Sequence, residues 1–290
     1  MMRSLYAAIS GLQNHQLRMD VIGNNIANVN TVGFKASRVT FKELFSQTLR
    51  GAAAPTPPVR GGTNPIQIGL GTTLSGIDVV HQPGNPQVTG VNTDLAIQGD
   101  GFFVLRDATG AQVYTRAGDF RLDAQGYLVS GDGLLVLGWQ ATGGNLPPTR
   151  DATNLGPIRV LDPDADPATN PPQDVVVSFS IDTAGVITGT FADGSTRPIA
   201  QIALATFANP SGLLRDGHLY RESNNSGVPD VGAPGTGGRG TVQAGALEMS
   251  NVDLSREFVD MIVTQRGFQA NSRVITTSDE MLQELVNLKR

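Results

Sequence analysis

The stretch "DVIGNNIANVNTVGFK" (residues 20–35) sets Val21, Ile22, Ile26 and Val29 at helical spacing but fills the same turns with four asparagines and two glycines. Each Asn costs about 0.6 kcal/mol against Ala in a helix interior and each Gly about 1, so the segment is a poor helix by itself and needs packing to hold it. Asn24, Asn25 and Asn28 stand at i, i+3 and i+4 spacings and can present amides to neighbouring helices, an arrangement that specifies register at some loss of stability. "NTVGFK" then stops the helix, with Asn30 or Gly33 able to take the left-handed cap position.

Upstream, Leu5, Ile9, Leu12, Gln16, Met19, Gly23 and Ile26 alternate spacings of four and three, a heptad seam with weak members. The other end follows the same rule through Leu254, Phe258, Met261, Gln265, Phe268, Ser272, Ile275, Asp279, Leu282 and Val286, and Ser250 with Asp253 offers a capping-box start. A helix from Leu254 to Leu288 is on the order of 50 Å long, more than one small domain needs. Each terminal helix is the natural coiled-coil partner of the other. Polar seam members leave that pair weakly held, however, and Val21, Ile22, Val259, Ile262 and Val274 stay uncovered. An intramolecular helical hairpin satisfies the periodicity; termini that order on assembly satisfy the uncovered residues as well. The expected assembly interface is Leu5, Ile9, Leu12, Met19, Asn24, Asn25, Asn28, Leu254, Phe258, Met261, Phe268, Ile275 and Leu282.

Between residues 75 and 245, short β-branched and aromatic runs are separated by Gly-containing turns, the spacing of an all-β region. "LAIQGDGFFVL" (95–105), "VYTRAGDFRLDAQGYLVSGDGLLVLGW" (113–139) and "VVVSFSIDTAGVITGTF" (175–191) are the clearest, the last a hairpin turning at "DTAG". Residues 140–174 read as exposed loops around one strand at Ile158–Leu161, and 51–65, "GAAAPTPPVRGGTNP", as an extended arm. The expectation is an α+β chain: terminal helices 1–30 and 251–290, a linker or arm at 31–75, and a β-rich domain at 76–250.

Composition excludes several functions. The chain has no cysteine, so disulfides and thiolate chemistry are absent. Net charge is −5, with six Lys/Arg against two Asp/Glu in residues 1–50 and a strongly acidic middle, which argues against a nucleic-acid surface. The amino terminus lacks the apolar core of a secretory signal, and no apolar run is long enough to span a bilayer.

Catalytic and ligand motifs are weak. "GTGGRG" (235–240) matches a dinucleotide fingerprint but follows Pro234 and precedes another β-type run. "DPDADP" (162–167) imitates a calcium loop with Pro167 in the glycine position and Gln173 in place of the bidentate Glu. His15, His81 and His218 have no ligand spacing, and Asp94 with Asp100 or Asp119 with Asp123 sit beside turn glycines. No enzyme activity, cofactor, metal or small-molecule substrate is expected. A carbohydrate-binding β-module, with Trp139, Tyr114 and Tyr127 as stacking surfaces, is the reading of a different class.

Four stretches together resemble the bacterial flagellar axial proteins, the rod and hook family: "SGLQNHQLRMDVIGNNIANVNTVGFKASRVTF", "TDLAIQGDGFFVL", "YTRAGDFRLDAQGYLVSGDGLLVLGW" and "EMSNVDLSREFVDMIVTQRGFQANSRVITTSDEMLQELVNLKR". Within it, "LGW" (137–139) and the ending "ITTSDEMLQELVNLKR" look more like the hook branch than the distal rod. The departure is size, since about 60 residues (140–200) stand where many hook proteins carry a large outer insertion. The resemblance implies a subunit exported through the flagellar type III apparatus and polymerised with itself into a helical tube. As a hook this would be an extracellular universal joint passing torque to the filament, meeting rod, hook-cap and hook-filament junction proteins. As a distal rod subunit it would sit in the periplasmic basal body.

Overall fold

The computed structural model describes residues 2–55, 61–141, 145–148, 150–161 and 176–288, and the expected loop acids of "DPDADP" lie outside them. The fold is α+β, in two compact units: Met1–Ala27, Ser37–Val80 and Val252–Arg290 form the first, Asn28–Ala36 and His81–Asn251 the second.

The first unit is built on two long helices, α1 (Met2–Ala27) and α2 (Leu254–Asn287), which pack antiparallel. Asp253, rather than Ser250, starts α2: its carboxylate accepts the backbone N–H groups of Ser255 and Arg256, so the orphan donors of the first turn are satisfied by the residue nearest them. Beside the helices, β1 (Ser37–Glu43) pairs with β4 (Thr72–Val79), and β2 (Ser46–Arg50) with β3 (Ile66–Gly69), a narrow antiparallel ribbon that continues to a bridge between Ala53 and Thr63. The ribbon meets α1 at Gly71 and Thr72. Asn14 donates to the Thr72 hydroxyl at 2.9 Å, and Gly71, at φ +115°, has no room for a Cβ against the Ser10 hydroxyl.

The second unit is an antiparallel sheet whose strands run 176–181, 186–191, 196–202, 135–140, 102–106, 112–115, 219–221 and 214–216 in spatial order. The hairpin at "DTAG" is present, closed by Gly185 at φ +69°. The strand expected at Ile158–Leu161 is displaced: the two-residue strand is Gly156–Pro157, and beyond it Arg159 makes only an isolated bridge to Tyr127, with Ile158 and Val160 buried in the core.

Central strands are buried on both faces. Phe103, Leu105, Val136, Ile202 and Leu204 pack one core, and Phe102, Val104, Leu137, Trp139 and Ala205 the other. That is why "FFVL" and "LLVLGW" read as unbroken apolar runs rather than alternating ones.

The segment 28–36 belongs to this second unit. Gly33 takes the left-handed conformation at φ +68°, its Cβ position filled by the Ala117 backbone 2.5 Å away, and Phe34 is buried with the Arg215 guanidinium over its ring. The opening stretch therefore divides by chemistry: a helix to Ala27, then a glycine-dependent plug.

Candidate assembly interface

The buried face of the helix pair is small and polar. Ala8, Ile22 and Asn25 on α1 and Thr264 and Ser278 on α2 are buried. Leu5, Leu12, His15, Met19 and Ile26, with Glu257, Met261, Phe268, Asn271, Ile275 and Leu282, are half-buried. Arg18 pairs with Asp260 at 3.0 Å. The Asn25 amide donates to the Ser37 carbonyl at 2.9 Å and to Glu257 at 3.3 Å, while its oxygen accepts the Ser37 N–H at 3.0 Å. A Cβ on Gly11 would stand 2.6 Å from the Asn271 amide.

This corrects the heptad register at every second position. Leu5, Leu12, Met19, Met261, Phe268, Ile275 and Leu282 lie on the seam as read, but the alternate positions slide by one residue, from Ile9, Gln16 and Gly23 to Ala8, His15 and Ile22, and from Phe258, Gln265, Ser272 and Asp279 to Glu257, Thr264, Asn271 and Ser278. At four of these positions, Ala8, Glu257, Thr264 and Ser278, the residue facing the partner is smaller than the one read from spacing, whereas Ile22 stands in place of Gly23. The larger Ile9, Leu254 and Phe258 are turned outward, 42, 38 and 51 % exposed. Of the asparagines, Asn24 is exposed, Asn25 is buried within the chain, and Asn28 accepts the Thr31 hydroxyl in the turn that follows α1.

The outward face carries much apolar surface. Tyr6, Val259, Ile262, Val263, Val274, Met281, Leu285 and Val286 are exposed beside Ile9 and Phe258. The ribbon adds Phe45, 89 % exposed, with Leu49, Ile66, Ile68 and Leu70. The sequence reading missed this second patch; the alternation in "IQIGL" (66–70) was its signal. Large contiguous apolar patches are unusual on monomeric soluble proteins, which makes these side chains the candidates for an interface.

Charge at the helix pair is tuned by burial. Partial burial pushes the Glu257 carboxyl above its ordinary range, against the opposing effect of the Asn25 hydrogen bond, and burial beside Arg18 pushes the His15 imidazole down.

The candidate motifs that fall within the described residues take structural roles. Among the described residues no three His, Asp or Glu side chains converge on a metal position, and no helix is long and apolar enough to cross a membrane. "GTGGRG" is a turn between two short strands, with Gly235, Gly237 and Gly238 at positive φ and no helix following. The Asp123 carboxylate accepts the backbone N–H groups of Gln125 and Tyr127, a turn-forming role. The sugar-stacking reading fails physically: Trp139 and Tyr114 are wholly buried, and Arg159 covers the Tyr127 ring.

Three family models match the chain: "Flagella basal body rod protein" over residues 5–35, "Flagellar hook protein FlgE/F/G D1 domain" over 96–189 and "Flagellar basal body rod FlgEFG protein C-terminal" over 243–288. The flagellar basal-body rod protein FlgG of Bacillus subtilis is 50% identical over 292 residues, covering 100% of both chains. The chain belongs to the flagellar rod and hook family. Members also include the hook protein FlgE of Borreliella burgdorferi, 32% identical over 443 aligned residues with both chains fully covered, and the rod protein FlgG of the same organism, 36% identical over 295. This chain is thus a structural, non-enzymatic axial subunit of the bacterial flagellum, and family membership implies polymerisation with other axial proteins.

Proposed function

We propose that this chain is a distal rod subunit of the flagellar basal body, acting in the periplasm, in place of the hook assignment that "LGW" and the carboxyl-terminal ending suggested. The supporting observation is length: the rod relative aligns with this chain over 292 residues, whereas hook relatives need 443 and 465 aligned positions. The additional sequence of a hook-sized protein has no counterpart here.

In this reading the outward apolar residues of α1 and α2, with Ile9, Leu254 and Phe258 among them, pack against neighbouring copies as the inner wall of a tube. The two-stranded ribbon, too narrow to bury Phe45, Leu49, Ile66 and Ile68 itself, lies against a second copy. Interdigitated apolar contacts resist sliding, as a shaft that carries torque requires. The neighbours are further copies, adjoining rod and hook subunits and, during delivery, the flagellar type III export apparatus. Hook-cap and hook-filament junction partners belonged to the hook reading.

Immunogold labelling of purified hook–basal bodies tests it. An antibody to the second unit should mark the rod. Label on the curved extracellular hook with an unmarked rod overturns the proposal.

A further inference from the structure

The second unit encloses a charged cluster that neither the core nor the assembly surface uses. Lys35, Arg116 and Glu248 are 0, 1 and 1 % exposed. The Lys35 ammonium donates to Glu248 Oε1 and to the Gln82 carbonyl, and Arg116 Nη1 lies 3.4 Å from Glu248 Oε2 while its guanidinium stacks on Phe102. Glu248 Oε1 also accepts the Gly84 N–H at 2.9 Å, and its backbone carbonyl accepts the Gly33 N–H at 2.8 Å. Three residues on, Asn251 takes the Ala36 N–H and donates to Gln82. One short segment, 248–251, therefore fastens both the segment that follows α1 and the loop at 82–84.

The charge count gives this arrangement its meaning. Two buried cations share one carboxylate, and Lys35 and Glu248 are 213 residues apart in sequence. Residues 95–205 supply Phe103, Leu105, Val113, Val136, Ile202 and Leu204 to the core, so the sheet can collapse without Glu248. Docking 33–36 first would bury the ammonium of Lys35 beside the guanidinium of Arg116 with no counter-charge, the most unfavourable way to break a buried pair.

We propose that Glu248 is a closing latch: the segment 33–36 docks onto the second unit only once the strand Ala246–Glu248 has brought this carboxylate between Lys35 and Arg116. Closure is thereby tied to arrival of the carboxyl-terminal part of the chain. The latch itself does not depend on where in the flagellum the chain sits.

Amide exchange on the full-length isolated chain tests it, comparing the wild type with Glu248→Gln and with Lys35→Met/Glu248→Gln. In Glu248→Gln, amides 33–36 and 84 should exchange about a hundredfold faster or more, while 103–105 and 113–115 keep their protection. The double variant, relieved of the uncompensated ammonium, should regain at least about tenfold. Unchanged exchange at 33–36 overturns the latch. So does equal loss across the sheet in both variants, or a double variant no better protected than the single.

Discussion

Gly267 and His15 meet across the helix pair so closely that a Cβ on the glycine would lie 2.7 Å from the imidazole. A glycine inside a long helix, unfavourable by propensity, is thus required by the packing of its partner. Gly267→Ala should therefore destabilise the first unit by about 1–3 kcal/mol, overpacking outweighing the gain in propensity of about 1 kcal/mol. Gly11→Ala should lose less, because the obstructing Asn271 amide can rotate aside. Gly23 has no atom within 4 Å of a Cβ, and Gly23→Ala should stabilise the isolated chain by about 1 kcal/mol. Urea unfolding followed by helical circular dichroism ranks the three.

Phenylalanines 258 and 268 separate the intramolecular seam from the assembly surface. Phe258→Ala removes an exposed ring and should change monomer stability by less than about 0.5 kcal/mol while lowering polymerisation. Phe268→Ala, taken from the half-buried seam, should cost about 3 kcal/mol and lower both. Light scattering of each variant, beside its unfolding curve, reads the two effects apart; normal assembly of Phe258→Ala would remove that residue from the interface.

Acid should weaken the second unit through His81 and act on the first through two groups of opposite sign, His15, pushed down by burial and therefore destabilising in acid, and Glu257, pushed up. His81 is wedged between the Phe102 and Tyr220 rings, and burial, reinforced by Arg116 and Lys35, pushes its imidazole down from 6.5 to about 4. Unfolded chains take up this proton first, so the second unit should lose stability as pH falls from about 6.5 to about 4. Glu257 is shifted upward by burial, so it penalises the first unit above that raised value, a penalty relieved as pH falls through it. Unit-resolved amide exchange at several pH values measures these trends. Glu257→Gln, which keeps an acceptor for Asn25, should abolish that relief.

Removal of residues 51–65, which contain the Ala53–Thr63 bridge, should leave the second unit folded and change the stiffness or stability of the assembled tube. Unchanged mechanics in assembled tubes, measured by their bending under the electron microscope, would count against a bridging role for the ribbon.

The terminal helices, formed but only marginally stable in a verified monomer, should exchange their amides faster than strands 102–106 and 112–115 there and become slow in the polymer. The helix pair buries small and polar side chains, and its apolar stripe is completed only by neighbours. Strong protection of residues 2–27 in the monomer would mean that the intramolecular pair suffices.

Local chemistry determined much of this protein directly from sequence. The helical periodicity at both ends and the glycine turns of the β-region follow from spacing and from φ restrictions that each residue carries alone, whereas the helix stop, expected at Asn30 or Gly33, falls after Ala27. Other features depended on which surfaces meet. Whether Ile9 or Ala8, and Phe258 or Glu257, faces the partner helix cannot be decided by spacing, since both choices keep a heptad; the packing of α1 against α2 decides, at these two positions for the smaller residue. The pairing of β1 with β4 joins strands about thirty residues apart whose faces are only half-buried, which leaves too weak an alternation to read. Lys35, Arg116 and Glu248 look like ordinary surface charges in sequence. Only the tertiary structure, by taking all three out of water at one point, makes each the condition for burying the others.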